Sequence, residues 1–503
     1  MSLTKVSYSM ITGAPANVLD YGADITGVTD STLAIQNAVD ANARVYIPAG
    51  TYKINGTRVV PFGGAKCGIV VPSGCHIIID NDAELIVIPN ASDNYAVFGS
   101  YDTQLVTIEG GFLYGERTGH TPSGGGPEPD QHGFGIDFRG VDRGKIVGVV
   151  ARNFNGDGFY LGAGAAGAAC DQIVIDKVDS NNNLRQGLSI VLANNVVVTS
   201  STFRNTNGVT PSAGIDIESN NGAIFNSNVK IIGCTFTGNN GVGVAIIRGQ
   251  SVFVSDNYFY ANRGAFSLSG SPGQAATSNI KIVNNIAQNC NYNFIELNDN
   301  LDDILIEGNT VFSLLLTSNG VIHQGELPTT TAHITVANNT FYIAKNGGMN
   351  LFGYSVADAL TDYAVQGNTV IYDNAIQLLD WRGLNLNLQN NLFLINSGSI
   401  GSTNAISFIL AGKVRADGNI FQNLTTTNQA AIASTTDIVF GPSNTFTQYF
   451  YNGNINTAAP TTNYWTQGTV IFNVGAAASG TVGWVCTSSG TPGTWKTFGA
   501  IAA

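Results

Sequence analysis

One pattern limits this chain more than any other: apolar-x-apolar-x-x-Asn-x-apolar recurs along its second half. It appears as VFVSDNYF (252–259), IKIVNNIA (280–287), ILIEGNTV (304–311), ITVANNTF (334–341), YAVQGNTV (363–370), LNLQNNLF (386–393) and VRADGNIF (414–421). Weaker copies, VVVTSSTF (196–203) and VKIIGCTF (229–236), carry Ser201 and Cys234 at the Asn position. Successive markers, from 201 to 419, are 23 to 33 residues apart. A repeat of that length cannot close a core by itself and must stack on its neighbours, which is the signature of a solenoid.

A second short strand follows most markers, often led by glycine: GFYLG (158–162), GLSIVL (187–192), GIDIES (214–219), VGVAII (242–247), AFSLSG (265–270) and AIQLLD (375–380). Short strands with no helix between them exclude leucine-rich and ankyrin arrays. The pattern predicts an all-β fold, a right-handed single-stranded parallel β-helix, with the Asn markers stacked as an amide ladder at a bend. About twelve coils between residues 45 and 445 would form a rod of roughly 60 Å at the interstrand spacing. Three divisions follow: an N-terminal segment and capping helix (1–44), the β-helix (45–450) and a small C-terminal β module (451–503). The helix is expected at DSTLAIQNAVDAN (30–42), with Asp30 or Ser31 as N-cap and Leu33, Ile35, Ala38 and Val39 as its apolar stripe. The C-terminal module concentrates three of the four tryptophans, expected mainly as its own core.

Composition narrows the function classes. Sixty glycines and three methionines suit short strands and turns. A net charge of −12 argues against a general nucleic-acid binder, and no apolar run approaches the length of a membrane helix. The six cysteines lack metal-site spacing, so no metal or cofactor is expected, and they read as free, buried thiols. The N-terminus shows no apolar signal-peptide region.

The opening VLDYGADITGVTDSTLAIQNAVD, followed by VYIPAGTYKI (45–54), resembles the start of the pectate-lyase-like β-helix of bacteriophage tailspikes and capsule depolymerases. The ending GWVCTSSGTPGTWKTFGAIAA is similar to a C-terminal piece of phage tail depolymerases. The blocks GDGFYLG, RQGLSIV and AGIDIESN resemble consecutive coils of that group. The resemblance implies a homotrimer on the phage tail or baseplate, made in the host cytoplasm, that binds and usually cleaves capsule or lipopolysaccharide glycan by hydrolysis or lyase chemistry. The β-helix would bind and cut glycan, and the C-terminal module would serve trimerisation or carbohydrate binding. The YGA motif comes by residue 21, ahead of which no large virion-binding domain is seen, as in a short-necked or trimmed spike.

Aligning the glycine-led strands stacks Asp137, Tyr160, Ser189, Asp216, Ala245 and Ser267 in one outward column. Arg139, Gly162, Val191, Glu218, Ile247 and Ser269 form the next. Both columns are expected to face solvent as the floor of a shallow groove between long loops. Asp216 and Glu218 alternate with inward Ile215 and Ile217, and two like charges so close raise one pKa, which suits an acid and base pair. Strand rise puts their Cα atoms about 7 Å apart, compatible with either retaining or inverting hydrolysis. Asp157, in the NGDG turn, is a third catalytic candidate. Tyr160, expected as an exposed stacking ring, joins Arg185, Arg248, Asp137, Arg139 and His132 as candidate glycan contacts. A hydrolase needs the acid pair, a lyase needs a base and a cation for a uronate, and a binding-only fibre needs neither; the sequence leaves all three open.

Overall fold

In the computed structural model the described residues are 13–503 except 123–129, 220–224, 272–273, 313–319, 325–330, 344–349, 355–361, 374–378, 382–384, 396–405, 409–412, 423–431, 435–436, 441–442, 447–453, 462–464, 466 and 474. The chain winds as a right-handed parallel β-helix. Among the described residues two of its sheets have 16 strands each, and a third has 11. Every coil adds one strand to each of the first two, which is why the sheet order follows every third strand in sequence. Stacking begins with Ala16–Asn17 paired to Arg44–Ile47 and ends with Asp437–Phe440 and Thr445–Phe446. The expected twelve coils are therefore too few. Coils before Ser201 lack the Asn marker: the backbone N–H of Val178 donates to Ser201 Oγ, placing valine at the marker position one rung earlier.

Inside, like stacks on like. Phe203, Phe236 and Phe259 pile with centroid spacings of 5.5 and 4.8 Å. Asn257, Asn285, Asn309, Asn339, Asn368, Asn391 and Asn419 form the predicted ladder, and Asn444, beyond the last marker read from the sequence, extends it. Each amide Nδ2 from Asn257 to Asn419 donates to the next Oδ1 at 2.9–3.0 Å. That Oδ1 also accepts the preceding marker's backbone N–H, as Asn309 does for Asn285 at 2.9 Å. A buried amide is thus satisfied by its own kind, which removes the cost of burying it. Cys234 caps this column, its N–H donating to Asn257 Oδ1 at 2.8 Å. A second amide step, Asn239 to Asn262 at 2.8 Å, was not anticipated.

The capping helix spans Thr32–Ala41, with Ile35, Gln36, Ala38 and Val39 buried on the first coil. Ser31 holds the N-cap position but its Oγ accepts from Asp24 N, and it is the Asp30 carboxylate that accepts from the Thr32 N–H at 2.9 Å. Leu33, expected in the apolar stripe, is 62% exposed because it falls on the solvent side. At the other end Asn454–Asn456, Val470–Asn473, Thr481–Ser488 and Thr494–Ala500 form a separate four-stranded sheet. There Trp465 packs edge-on against Trp495 at 5.4 Å. Most of the second-strand motif at 375–380 lies outside the described residues. The six cysteines are free and buried. Among the described residues no helix is long and apolar enough to cross a membrane.

Candidate functional site

The third sheet carries the site. Its register pairs Asp137 with Tyr160, Tyr160 with Ser189, Ser189 with Asp216, Asp216 with Ala245 and Ala245 with Ser267, so the expected column exists. Arg139 pairs with Gly162 and Glu218 with Ile247 in the next. Inward, Ile215, Ile217, Leu188 and Ile190 are fully buried, which fixes the alternation and points the polar residues outward.

The solvent-facing floor is where expectation and structure part. Asp137 and Ser189 are each 2% exposed and Asp216 is 5% exposed. At the early end, segment 58–67 folds over the sheet, and Val60, Cys67, Ala96 and Phe134 make a satellite apolar cluster. Tyr160 belongs to this cover. Its ring is already stacked on Phe134 at 4.7 Å, with the Arg139 guanidinium 5.0 Å from its centroid, so it is not the open stacking platform expected.

Burying acids demands partners, and two of the three buried aspartates, Asp137 and Asp157, have an arginine against them. Arg139 Nε donates to both oxygens of Asp137 at 2.8 and 3.1 Å. Tyr101 adds a hydroxyl at 3.3 Å. Burial nevertheless holds the Asp137 carboxyl above its ordinary pKa, with Arg139 opposing. Asp157 is fully buried and gripped by Arg185 through two guanidinium nitrogens, while Ser189 Oγ donates to it at 2.8 Å. This bidentate clamp occupies both oxygens of Asp157. His132 is exposed at the start of its strand, edge-on to Phe134 at 6.4 Å. The protein packed around its imidazole, and then the Arg185 charge, keep its pKa below the ordinary value.

Asp216 has no such cation. Gln186 Nε2 donates to its Oδ2 at 2.9 Å, and its Oδ1 is buried without a partner among the described residues. Burial first, then the Glu218 charge, push its pKa up to about 8, with Arg185 pulling the other way and Asp157 adding a smaller push. Glu218, two residues on, has a side chain 39% exposed, and Arg248 Nη2 approaches its Oε1 at 3.8 Å. Asp137, Asp157, Asp216 and Glu218 thus share three arginines, Arg139, Arg185 and Arg248. Asp216 is the one buried carboxyl of this set with no arginine against it among the described residues, and its raised pKa favours the protonated form.

Sequence reading missed Gln186 and Ser189, whose roles depend on neighbouring rungs. It also missed a buried cluster in the long loop, where His120 bridges Glu116 at 2.8 Å and Asp130 at 3.0 Å. Burial opposes charge on His120, but the two carboxylates outweigh it and raise its pKa. The i,i+4 spacing of Glu116 and His120 was the available signal. Among the described residues no group of three or more His, Cys, Asp or Glu is arranged to hold a metal ion.

Known proteins share this architecture. A family model described as rhamnogalacturonase A/epimerase, pectate lyase-like, matches residues 16–61, and one described as a right-handed β-helix region matches 211–341. The tailspike protein of E. coli bacteriophage HK620, solved in complex with a pentasaccharide, superposes with a TM-score of 0.62 at 14% identity, covering 98% of this chain and 95% of that one. The fold is a right-handed parallel β-helix, the architecture this tailspike also has. The A-module of mannuronan C-5 epimerase AlgE6 from Azotobacter vinelandii superposes with a TM-score of 0.53 at 14% identity, covering 86% of this chain and all of that module. In sequence, the uncharacterised protein YclG of Bacillus subtilis is 30% identical over 266 residues, 48% of this chain and 45% of YclG. The chain spans less than half the length of the curated relatives it matches.

Proposed function

We propose that this chain is a phage tailspike depolymerase that binds bacterial surface polysaccharide and hydrolyses its glycosidic bonds. Asp216 supplies the proton to the leaving oxygen, and Glu218 acts on the sugar or the attacking water. One observation carries the reading: a carboxyl lifted to about 8 lies two residues from a half-exposed carboxylate on one strand face. A group that holds its proton at neutral pH beside one open to substrate is the division of labour glycoside hydrolysis requires. Eliminative lyase chemistry needs an uncommitted cation for a uronate at the reacting centre, whereas the three arginines there, Arg139, Arg185 and Arg248, already face carboxylates. Capsule or lipopolysaccharide glycan as substrate, a homotrimer and attachment to the virion tail are part of the same reading, supported by the likeness to a tailspike crystallised with a pentasaccharide.

The test is product analysis on a panel of purified capsules and O-antigens. New reducing ends without near-ultraviolet absorbance are the expected result. An absorbing 4,5-unsaturated product would establish a lyase instead, and binding without products a non-cutting fibre. Light scattering should give about three times the 52.6 kDa chain mass, and a value near one chain would overturn the trimer.

A further inference from the structure

The outward column does not end at Ser267. It pairs on with Glu296, and Glu296 pairs with His323. Ile295, Leu297 and Ile322 are buried inward, so Glu296 and His323 project outward from adjoining rungs, both half-buried. In the turns that lead into these strands, four residues before Ser267 and Glu296, stand Arg263 and Tyr292. Tyr292 is 41% exposed, and the exposed Arg263 guanidinium lies 5.0 Å from its ring centroid. Among the described residues Arg263 has no carboxylate within ion-pair distance, unlike the three arginines at the centre.

The chemistry of this set is that of sugar recognition. A carboxylate accepts from two adjacent hydroxyls, a neutral imidazole both donates and accepts, and a half-exposed phenol and guanidinium present an amphipathic wall. Burial keeps the His323 imidazole below its ordinary pKa, with Glu296 opposing, which favours the neutral form.

We propose that Glu296, His323, Tyr292 and Arg263 form a second sugar subsite, three strands and so about 14 Å beyond Asp216 along the groove, for a hydroxyl-bearing sugar remote from the cut bond. The subsite rests on reading the groove as glycan-binding, and it makes the substrate a chain long enough to span both places. A probe is a printed array of purified capsular polysaccharides and O-antigens, with the full chain applied as Glu296→Gln, His323→Asn and unaltered protein. Lys281→Ala, on a different sheet, serves as the control. Circular dichroism and elution volume check folding, and His323→Asn serves if Glu296→Gln misfolds. Both subsite variants should lose at least tenfold in apparent affinity for the polymer the unaltered chain binds, and the control should not. On that polymer KM should rise with kcat retained, and fragments too short to span the groove should be turned over unchanged. If the variants lose binding but the unaltered chain never cuts, the subsite stands and the hydrolase reading falls. If cutting occurs and the variants bind normally, the subsite falls and the hydrolase reading stands. Binding to nothing on the array overturns both.

Discussion

The Asn ladder and the charged outward column solve one problem on two parts of the same solenoid, and they solve it differently. A parallel coil forces each residue to stack on its register neighbour about 4.8 Å away, so whatever lies at one rung must tolerate a copy at the next. An amide donates and accepts, so Asn257 to Asn444 repeat without interruption. A carboxylate only accepts. The groove column therefore breaks the repeat with Tyr160, Ser189 and Ala245 and recruits Arg139, Arg185 and Arg248 from the sides. Self-complementary groups make structure, and groups that cannot stack on themselves are retained where chemistry needs them.

The largest expected effect breaks the groove at its uncompensated member. Asp216→Asn or Glu218→Gln keeps shape while removing proton chemistry, so turnover should fall by about 100- to 10,000-fold with the fold intact, as product release from capsule would record. Near-normal rates in both variants would make the pair structural. Next comes Arg185→Met, which leaves Asp157 buried without its cation and should cost on the order of 3–5 kcal/mol in guanidinium unfolding. Adding Asp157→Asn should restore most of that loss. If the single variant costs nothing, the clamp is not what holds the early rungs together.

The groove should also be sensitive to pH where the ladder is not. The folded-state pKa of Asp216 is raised, to about 8 from 3.8, so the folded chain keeps a proton that the unfolded chain releases. Its contribution is fully present below about pH 4, declines by at most about 1.4 kcal/mol per pH unit, and is lost once pH passes about 8. Asp216→Asn should flatten that part of the stability profile between pH 4 and 8. An unchanged slope would place the proton elsewhere. The same ionisation predicts a fall in turnover above about pH 8.

How much of this was legible follows from the same contrast. The ladder could be read because its residue type repeats: Asn285, Asn309 and Asn339 announce one another, and even Cys234 was placed in the correct column. The outward column of Asp216 was legible too, since alternation with Ile215 and Ile217 fixes its face. What could not be read was the cover. Tyr160 looked open because nothing local reveals that Phe134 lies on its ring, or that segment 58–67 folds across. Partners such as Arg185 for Asp157, 28 residues apart, are set by which rungs adjoin and leave no periodic trace. Leu33 shows the same limit at the cap, where a one-position error in facing sent an apolar residue to solvent.

The smallest expected effect sharpens the comparison at the point where the ladder stops. Cys234 occupies the position before Asn257 and is 1% exposed. Its N–H is already bonded to Asn257 Oδ1, and its Sγ lies 3.8 Å from Val198 O. In the rungs beyond, the carbonyl equivalent to Val198 O receives an amide: Ile231 O accepts Asn257 Nδ2 at 3.0 Å. Cys234→Asn should therefore extend the column by one step, the new Nδ2 reaching Val198 O and Asn257 Oδ1, and the new Oδ1 facing the N–H of Ser201. Each such bond nets about 1 kcal/mol, so two of them slightly outweigh a penalty of about 1.5 kcal/mol for the added volume in a packed interior. A stabilisation of about 0.5 kcal/mol is expected in guanidinium unfolding, with Cys234→Ala losing about 1 kcal/mol. If Cys234→Asn is the more damaging of the two, the ladder ends at Asn257 because the coil there is too narrow for an amide.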